Sequence, residues 1–408
     1  MKKVWDKWTR IALVKRILVG LILGAILGIV VPQATGIAIL GDVFVSALKA
    51  IAPLLVFFLV VSSLCNAGKS HGGVIKTVII LYMFSTVLAA VIAVFASMAF
   101  PVKMTLANAA TDTSAPQGIV EVLNNLLLNV VANPVSSLVN ANYVGILMWA
   151  VLLGLAFRAA DKMTKKVLAD VADGISMVVT WIINLAPFGI FGLVFNTVST
   201  NGLDIFTTYG KLLLLLVGCM LFIYFVTNPL LVYWCIRQNP YPLIFHCLKR
   251  SALTAFFTRS SAANIPVNMK VCEEMGLDRD TYSVTIPLGA TINMDGAAIT
   301  ITVMTMATAF TLGIHVDIPT AIILSLLAAL SACGASGVAG GSLLLIPMAC
   351  SLFGISDDIS MQVVAVGFII GVVQDSVETA LNSSSDLLLS ASAEFRQWRL
   401  EGKEIKFK

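Results

Sequence analysis

Long apolar runs separated by short polar segments occupy the first 240 residues of the chain. Each run approaches the length of about 20 residues that a helix needs to cross a bilayer. The runs lie at about 17–32, 41–65, 76–101, 143–158, 171–198 and 207–236. Because a transmembrane β-barrel would instead show short alternating segments, this pattern predicts a polytopic all-α membrane protein. Gly20, Gly24 and Gly28 recur every four residues in the first run, which predicts close helix packing.

The pattern changes in the last third of the chain. Segments 243–278 and 319–353 each consist of an apolar half, a small polar stretch and a second apolar half. Each half is too short to cross a bilayer, so two re-entrant helical hairpins fit better. Another apolar span is interrupted at 289–296, where we expect unwound backbone from 289 to 294. Paired broken segments of this kind indicate the binding site of a secondary transporter.

The final apolar segment carries a polar stripe. On a helix, Asp375, Glu378, Thr379, Asn382 and Asp386 fall within about 100° of arc. A charge at the centre of a membrane helix costs roughly 2.5–3.5 kcal/mol, so three carboxylates on one stripe require polar or cationic partners. Polar packing could explain any one of these residues alone, but it accounts poorly for the set beside a helix break and two broken hairpins. With this segment the pattern predicts eight transmembrane helices plus the two hairpins.

Composition and charge agree with a membrane protein. Of 408 residues, 58% are hydrophobic and 12% charged, against about 45–50% and 25% in soluble domains. The net charge of +4 comes from loop cations and predicts no nucleic-acid partner. The seven cysteines are scattered without a CxxC pair and are expected to be unpaired core residues.

Basic residues at both ends of the chain predict that both termini are cytoplasmic. The first span lacks a signal-peptide cleavage pattern and is expected to be retained. The basic residues are Lys2, Lys3, Lys7, Arg10, Lys15 and Arg16 at one end and Arg396, Arg399, Lys403, Lys406 and Lys408 at the other.

The polar residues suggest a site for a zwitterion and a cation. Helix starts at hairpin tips present N–H groups to a carboxylate, and Ser260 and Ser261 add hydroxyl donors. Asp375 suits an ammonium group. Backbone and side-chain oxygens near the break suit Na⁺. The side chains expected there are Asn293, Asp295, Asn382 and Asp386.

Two enzyme classes are disfavoured. Residues 334–337 match the GxSG of rhomboid-type intramembrane serine proteases, a chemistry that needs a histidine base. The chain has only His71, His246 and His315, and none follows Ser336. The GxGD of intramembrane aspartyl proteases is absent. We therefore expect no enzymatic activity.

The motif Asn-Met-Asp-Gly at 293–296, the two hairpin tips at 258–266 and 334–342, and the pair Asn382 and Asp386 together resemble the sodium:dicarboxylate symporter family, the glutamate-transporter homologues. The resemblance covers nearly the whole chain. It implies a homotrimer embedded in the lipid of the bacterial inner membrane. In each protomer a transport domain would move like an elevator against a scaffold domain. The implied scaffold comprises residues 1–75 with spans 1 and 2 and residues 118–206 with spans 4 and 5. The implied transport domain comprises residues 76–117 with span 3 and an external loop, residues 207–242 with span 6, and residues 243–394 with spans 7 and 8 and both hairpins. Residues 395–408 are the implied cytoplasmic tail.

The resemblance also assigns site residues. Ser260 and Ser261 would hold the substrate carboxylate, Asp375 its ammonium group and Asn382 its backbone. Gly337, Val338 and Thr379 would also line the substrate site. Three sodium sites are implied: Gly289, Asn293, Asn382 and Asp386; Thr291 and Met294 with the backbone of Ala332, Cys333 and Ala335; and Tyr82, Ser85 and Thr86 with Asn293 and Asp295.

The sequence departs from the acidic-substrate pattern at one position. Acidic amino-acid carriers of the family have an arginine three residues after the equivalent of Asp375, where this chain has Glu378. Ala297 likewise replaces a threonine. Glu378 would repel a substrate carboxylate and accept a substrate hydroxyl, with Arg259 compensating the carboxylates. The chain thus resembles the sodium:serine/threonine symporters of the family most closely.

Three alternatives remain open. The first is a sodium- or proton-coupled symporter of acidic amino acids or C4-dicarboxylates, with Arg259 as the anion partner. The others are an ion channel and a receptor that does not transport.

Overall fold

The computed structural model describes residue 11, residues 13–66 and 73–106, residue 128, and residues 131–202, 205–333 and 340–405. Several predicted features lie outside these residues: the cations of the first ten residues, His71, most of the external loop at 102–117, and Ala335, Gly337 and Val338 of the second hairpin tip.

The described residues form helices and contain no β-strand. The α-helices are α1 (Leu13–Val30), α2 (Ile39–Asn66), α3 (Gly73–Ala99), α4 (Pro134–Val139), α5 (Tyr143–Ala156), α6 (Lys162–Asn184), α7 (Ala186–Asn201), α8 (Ile205–Phe222), α9 (Asn228–Ile236), α10 (Tyr241–Cys247), α11 (Leu253–Thr258), α12 (Ser261–Glu274), α13 (Arg279–Ile292), α14 (Asp295–Thr311), α15 (Ile318–Ala332), α16 (Ile346–Ser351) and α17 (Asp357–Leu400). Short π-helical turns join α8 to α9 and α10 to α11, and a 3-10 turn at Gly341–Leu345 precedes α16.

Within the described residues, six stretches of helix are long and apolar enough to cross a bilayer. They are Thr35–Asn66, Gly73–Ala99, Lys162–Asn184, Phe206–Ile236, Arg279–Thr311 and Asp357–Leu400. The prediction of an all-α membrane protein is therefore confirmed, whereas the count of eight spans and two re-entrant hairpins stays a prediction. Helix α17 has 44 residues, so it is about 66 Å long, roughly twice the thickness of the hydrocarbon core.

The predicted single span at 171–198 is wrong in the structure. The chain forms two helices there, since α6 ends at Asn184 and α7 begins at Ala186. Pro187 lies in the first turn of α7, where its missing N–H costs no hydrogen bond. Helix α6 also starts earlier than expected, at Lys162, because the Asp161 side chain accepts a hydrogen bond from the Thr164 backbone N–H.

The helices pack mainly in two groups, which do not follow the order of the chain. Helix α1 lies mainly against α7, and α2 lies against α5, α6 and α7. In the second group, α3 packs on α14 and α15, and α17 packs on α11, α12, α13 and α14. Helix α17 continues to Leu400, beyond the predicted boundary at 394, and buries Phe395.

Close approach between α1 and α7 follows from glycine. A methyl group at Gly24 would lie 2.6 Å from the Phe191 backbone oxygen, and one at Gly28 would lie 3.0 Å from that of Phe195. Only a residue without a side chain fits here, so the predicted packing role of these glycines is confirmed. The cysteines are all unpaired, and six of the seven are buried, as predicted.

Candidate binding site

The helix break between α13 and α14 is shorter than the sequence suggested. Residues 289–292 remain helical, because the Gly289 carbonyl accepts a hydrogen bond from the Asn293 N–H at 2.9 Å. Only Asn293 (φ −98°, ψ 80°) and Met294 (φ −119°, ψ 51°) leave the helical conformation. The expectation of unwound backbone from 289 onward is therefore wrong. The two-residue break turns the Asn293 side chain toward α17.

Asp386 and Asn293 meet at this break. The Asn293 amide nitrogen donates to Asp386 Oδ1 at 2.9 Å, and the Tyr82 hydroxyl donates to the Asp386 backbone oxygen at 2.8 Å. A methyl group at Gly289 would lie 2.8 Å from Asp386 Oδ1 and 2.9 Å from the Tyr82 hydroxyl, so glycine permits this approach. Asn293 Oδ1 is buried and has no donor among the described residues. An oxygen of this kind beside a carboxylate suits a cation.

A second group of oxygens surrounds Asp295, which is fully buried. The Ser85 hydroxyl donates to Asp295 Oδ2 at 2.8 Å, and the Thr86 hydroxyl lies 3.2 Å from Oδ1. The Met294 N–H donates to the Thr86 hydroxyl oxygen at 3.2 Å. These residues come together as predicted, but the hydrogen bonds of Tyr82 connect it to Asp386 and Thr285 rather than to Asp295.

The end of the first half of the second broken segment, at the C-terminus of α15, approaches the same break from another side. The Cys333 thiol lies 3.7 Å from the Ile292 backbone oxygen, and Ala332 and Met294 are buried. The Thr291 hydroxyl donates to the Leu288 backbone oxygen at 2.7 Å, which leaves its oxygen as an acceptor-type ligand.

Arg259 pairs with Asp375. It has a left-handed backbone (φ 53°) at the end of α11, where the first broken segment turns. Its Nε and Nη2 atoms lie 2.6 Å and 2.5 Å from Asp375 Oδ2. The Gly340 N–H lies 3.4 Å from Asp375 Oδ1. Little water reaches this pair, so the positive charge of Arg259 replaces water in stabilising the negative charge of Asp375.

Glu378 is held on one side only. Its Oε2 atom accepts hydrogen bonds from the Thr300 hydroxyl at 2.7 Å, the Ser342 hydroxyl at 2.9 Å and the Gln374 amide. No described residue donates to its other oxygen, Oε1. The Glu378 residue is only 5% exposed, so protein surrounds its carboxylate. The Oε1 atom of this carboxylate remains available to accept a hydrogen bond from a bound solute.

Other predicted substrate residues also retain bonding capacity. The Ser260 side chain caps α12 by accepting from the Ala263 N–H at 3.2 Å. Asn382 Oδ1 accepts from the Gly296 N–H at 2.7 Å, while its amide nitrogen has no acceptor among the described residues. The hydroxyls of Ser261 and Thr379 likewise have no partner among those residues, although both side chains are buried. Ala297 is buried one residue after Gly296, whose Cα faces Glu378.

The sequence interpretation missed several polar residues. Gln374 precedes Glu378 by one helical turn and donates to both Glu378 and Thr300, so its spacing was a usable signal. Asn228 lies beside Ser85, with its amide nitrogen buried and unpaired within the described part of the chain. A buried network also joins α12 to α17 through Ser251, Asn264, Asn268 and Ser383.

This arrangement has the chemistry of a small polar solute site beside a cation site, and comparisons with known proteins agree. The model of the sodium:dicarboxylate symporter family matches residues 13–394. The chain is 57% identical over 406 residues to the serine/threonine transporter SstT of Bifidobacterium adolescentis, covering 99% of this chain and 94% of that protein. It is 55% identical over 400 residues to the serine/threonine transporter SstT of Streptococcus thermophilus, covering 98% and 100%. The chain belongs to the sodium:dicarboxylate symporter family.

Proposed function

We propose that this protein imports serine and threonine by sodium symport. It would work by elevator-type alternating access, as a homotrimer in the bacterial inner membrane with both termini cytoplasmic. Family membership makes it a transporter rather than an enzyme, as the sequence predicted. The names of its relatives support the substrate class. The two packing groups of helices support a division into scaffold and transport domain.

The observation that carries the substrate proposal is the one-sided anchoring of Glu378. Three donors hold Oε2, and Oε1 is left for a hydroxyl donor. A charged acceptor binds a hydroxyl more strongly than a neutral one. The same charge repels the side-chain carboxylate of aspartate, so one residue both selects serine and rejects acidic substrates.

Arg259 would exchange with the substrate at Asp375. The guanidinium and the substrate ammonium group are both cations that suit the same carboxylate, and Arg259 already binds Asp375 Oδ2. When the ammonium group arrives, Arg259 would leave Asp375. Asp375 thereby keeps a compensating positive charge before and after binding, which avoids an isolated buried charge.

Sodium would bind in the oxygen-rich groups at the helix break. Asp386 with the unpaired Asn293 Oδ1 supports one site, and Asp295 with Ser85 and Thr86 supports another. Oxygen ligands suit a hard cation such as Na⁺. Because Asn382 lies one hydrogen bond from Gly296 at this break, it would link the ion and substrate sites.

Uptake of radiolabelled serine into proteoliposomes tests the proposal. We expect accumulation with a sodium gradient and none when potassium replaces sodium, with excess threonine but not aspartate inhibiting uptake. Equal inhibition by aspartate would favour the acidic-substrate alternative, in which Arg259 binds the substrate carboxylate. Counterflow driven by internal unlabelled serine identifies a carrier, since a channel gives none and a receptor takes up no serine.

A further inference from the structure

An apolar groove lies between α3 and α8, away from the candidate binding site. Its volume is about 850 Å³, within the range of about 300–1,000 Å³ typical of ligand pockets. Its walls are one face of the last two turns of α3, between Ile92 and Ala99, with residues 100–102 that follow, and one face of α8 between Lys211 and Phe222. Among the described residues that line the groove, every side chain is apolar except that of Lys211.

The groove has the length of one bilayer leaflet. From Lys211 to Phe222 the helix rises about 16 Å at 1.5 Å per residue, and one leaflet of a hydrocarbon core about 30 Å thick measures about 15 Å. Lys211 marks the end nearer the start of α8 at Ile205. A lysine at this depth extends its ammonium group to the membrane surface while its methylenes stay in the apolar region.

The rim of the groove favours a flexible chain over another helix. Phe95, Phe100, Leu214 and Phe222 project outward, with Leu214 74% exposed. Between them the groove is lined by small residues, among them Ala96 and Gly218, which we call its floor. Helices associate closely in membranes where small residues lie at the surface of contact. Here the bulky rim would hold a second helix away from that floor, whereas an acyl chain can enter between the rim residues.

We propose that this groove binds one anionic glycerophospholipid, with its acyl chains along the floor and its phosphate at Lys211. The apolar walls match the acyl chains, and Lys211, the one cation among the described lining residues, matches the headgroup charge. The lipid would fill a space that the helices themselves leave open.

Gly218 offers a direct way to close the groove. A Cβ atom at Gly218 would meet no atom within 4 Å, so Gly218→Phe places a large side chain in the groove from a position with free space around it. Gly210 on the same helix is equally free of neighbours and does not line the groove, which makes Gly210→Phe the matched control. For the charge, Lys211→Gln is compared with Lys162→Gln, a change at an exposed lysine elsewhere.

The experiment counts lipid retained by the intact purified oligomer. Protein is equilibrated with equal amounts of dioleoyl phosphatidylglycerol and dioleoyl phosphatidylcholine, and bound lipid is resolved by native mass spectrometry. We expect a preference for phosphatidylglycerol of about fivefold, from the attraction of one lysine to an anionic lipid. Lys211→Gln should reduce that ratio to about one while lipid is still retained. Gly218→Phe should lose the retained lipid, and both control variants should behave as the wild type.

Three results would overturn the proposal. The preference could survive in Lys211→Gln, or Gly218→Phe could retain as much lipid as Gly210→Phe. Retention by dissociated protomers but not by the oligomer would instead show that a second copy covers the groove. Because lipid is counted without substrate, these outcomes are independent of whether serine is transported, and the Lys211 result stands even if Gly218→Phe fails to fold.

Discussion

Replacing Glu378 with glutamine tests the selectivity mechanism with the smallest change of shape. Three donors surround Oε2, so the amide oxygen of Glu378→Gln must take that position to remain bonded. The amide NH₂ then occupies the position of Oε1. A serine substrate would meet a neutral donor where the wild type presents a charged acceptor.

The expected loss follows from the two kinds of hydrogen bond. A bond to a charged partner contributes about 1.5–3 kcal/mol, and one between neutral groups about 0.5–1.5 kcal/mol. The serine hydroxyl can turn and accept from the amide, so only the difference is lost. That difference is about 1–1.5 kcal/mol, or roughly a 5- to 12-fold decrease in affinity. Alanine has no hydroxyl and should lose little.

The assay is the ratio of kcat/KM for serine uptake to that for alanine uptake in proteoliposomes under an inward sodium gradient. Using alanine as the internal reference separates selectivity from expression and folding. Glu394→Gln is the matched control, since Glu394 lies on the same helix and accepts from the Asp278 N–H at 2.7 Å, away from the site. An unchanged ratio in Glu378→Gln, or an equal fall for serine and alanine, would refute the selectivity role of Glu378.

Three further predictions concern the rest of the site and the fold. Asp386→Asn should raise the sodium concentration for half-maximal serine uptake by roughly tenfold or more. Unit charges 4 Å apart attract by about 4 kcal/mol at an effective dielectric constant of 20, and this variant removes the negative charge. An unchanged sodium dependence would remove Asp386 from the ion site. Glu378→Arg should weaken serine uptake and allow aspartate to compete, because the site gains a cation; exclusion of aspartate by this variant would contradict the charge argument. Gly24→Ala should destabilise the protein by about 1–3 kcal/mol, because its methyl group would lie 2.6 Å from the Phe191 backbone oxygen. The measurement is the unfolding temperature in detergent, and the control is Gly36→Ala, whose methyl group would have no atom within 4 Å. Equal unfolding temperatures for the two variants would contradict the packing argument.

Much of the site was accessible from local sequence pattern. A break within 289–296 appeared as polar residues inside an apolar span, although only two of its residues leave the helix, and the stripe on α17 appeared through its helical periodicity. Both signals are local, because a buried polar residue in a membrane helix is costly unless it has partners. The glycine spacing in α1 was a local signal too, and it correctly indicated a close helix contact.

The partners themselves depend on packing between segments far apart in the chain. Arg259 could have compensated Asp375 or Glu378, and only the turn after α11 directs it to Asp375. Thr300 and Ser342 come from two other segments to join Gln374, one turn away on α17, at one oxygen of Glu378. Spacing along one helix cannot reveal such a convergence.

The sequence by itself determined that this chain is a helical membrane protein, that a helix break lies within 289–296, and which polar side chains share a face of its last helix. These follow from hydrophobic periodicity and from the cost of burying charge in lipid. Only the tertiary structure decided which oxygen of Glu378 is held and which remains available, and that Tyr82 bonds to Asp386 rather than to Asp295. The direction of a hydrogen bond depends on where helices cross, and that position is set by packing over the whole chain.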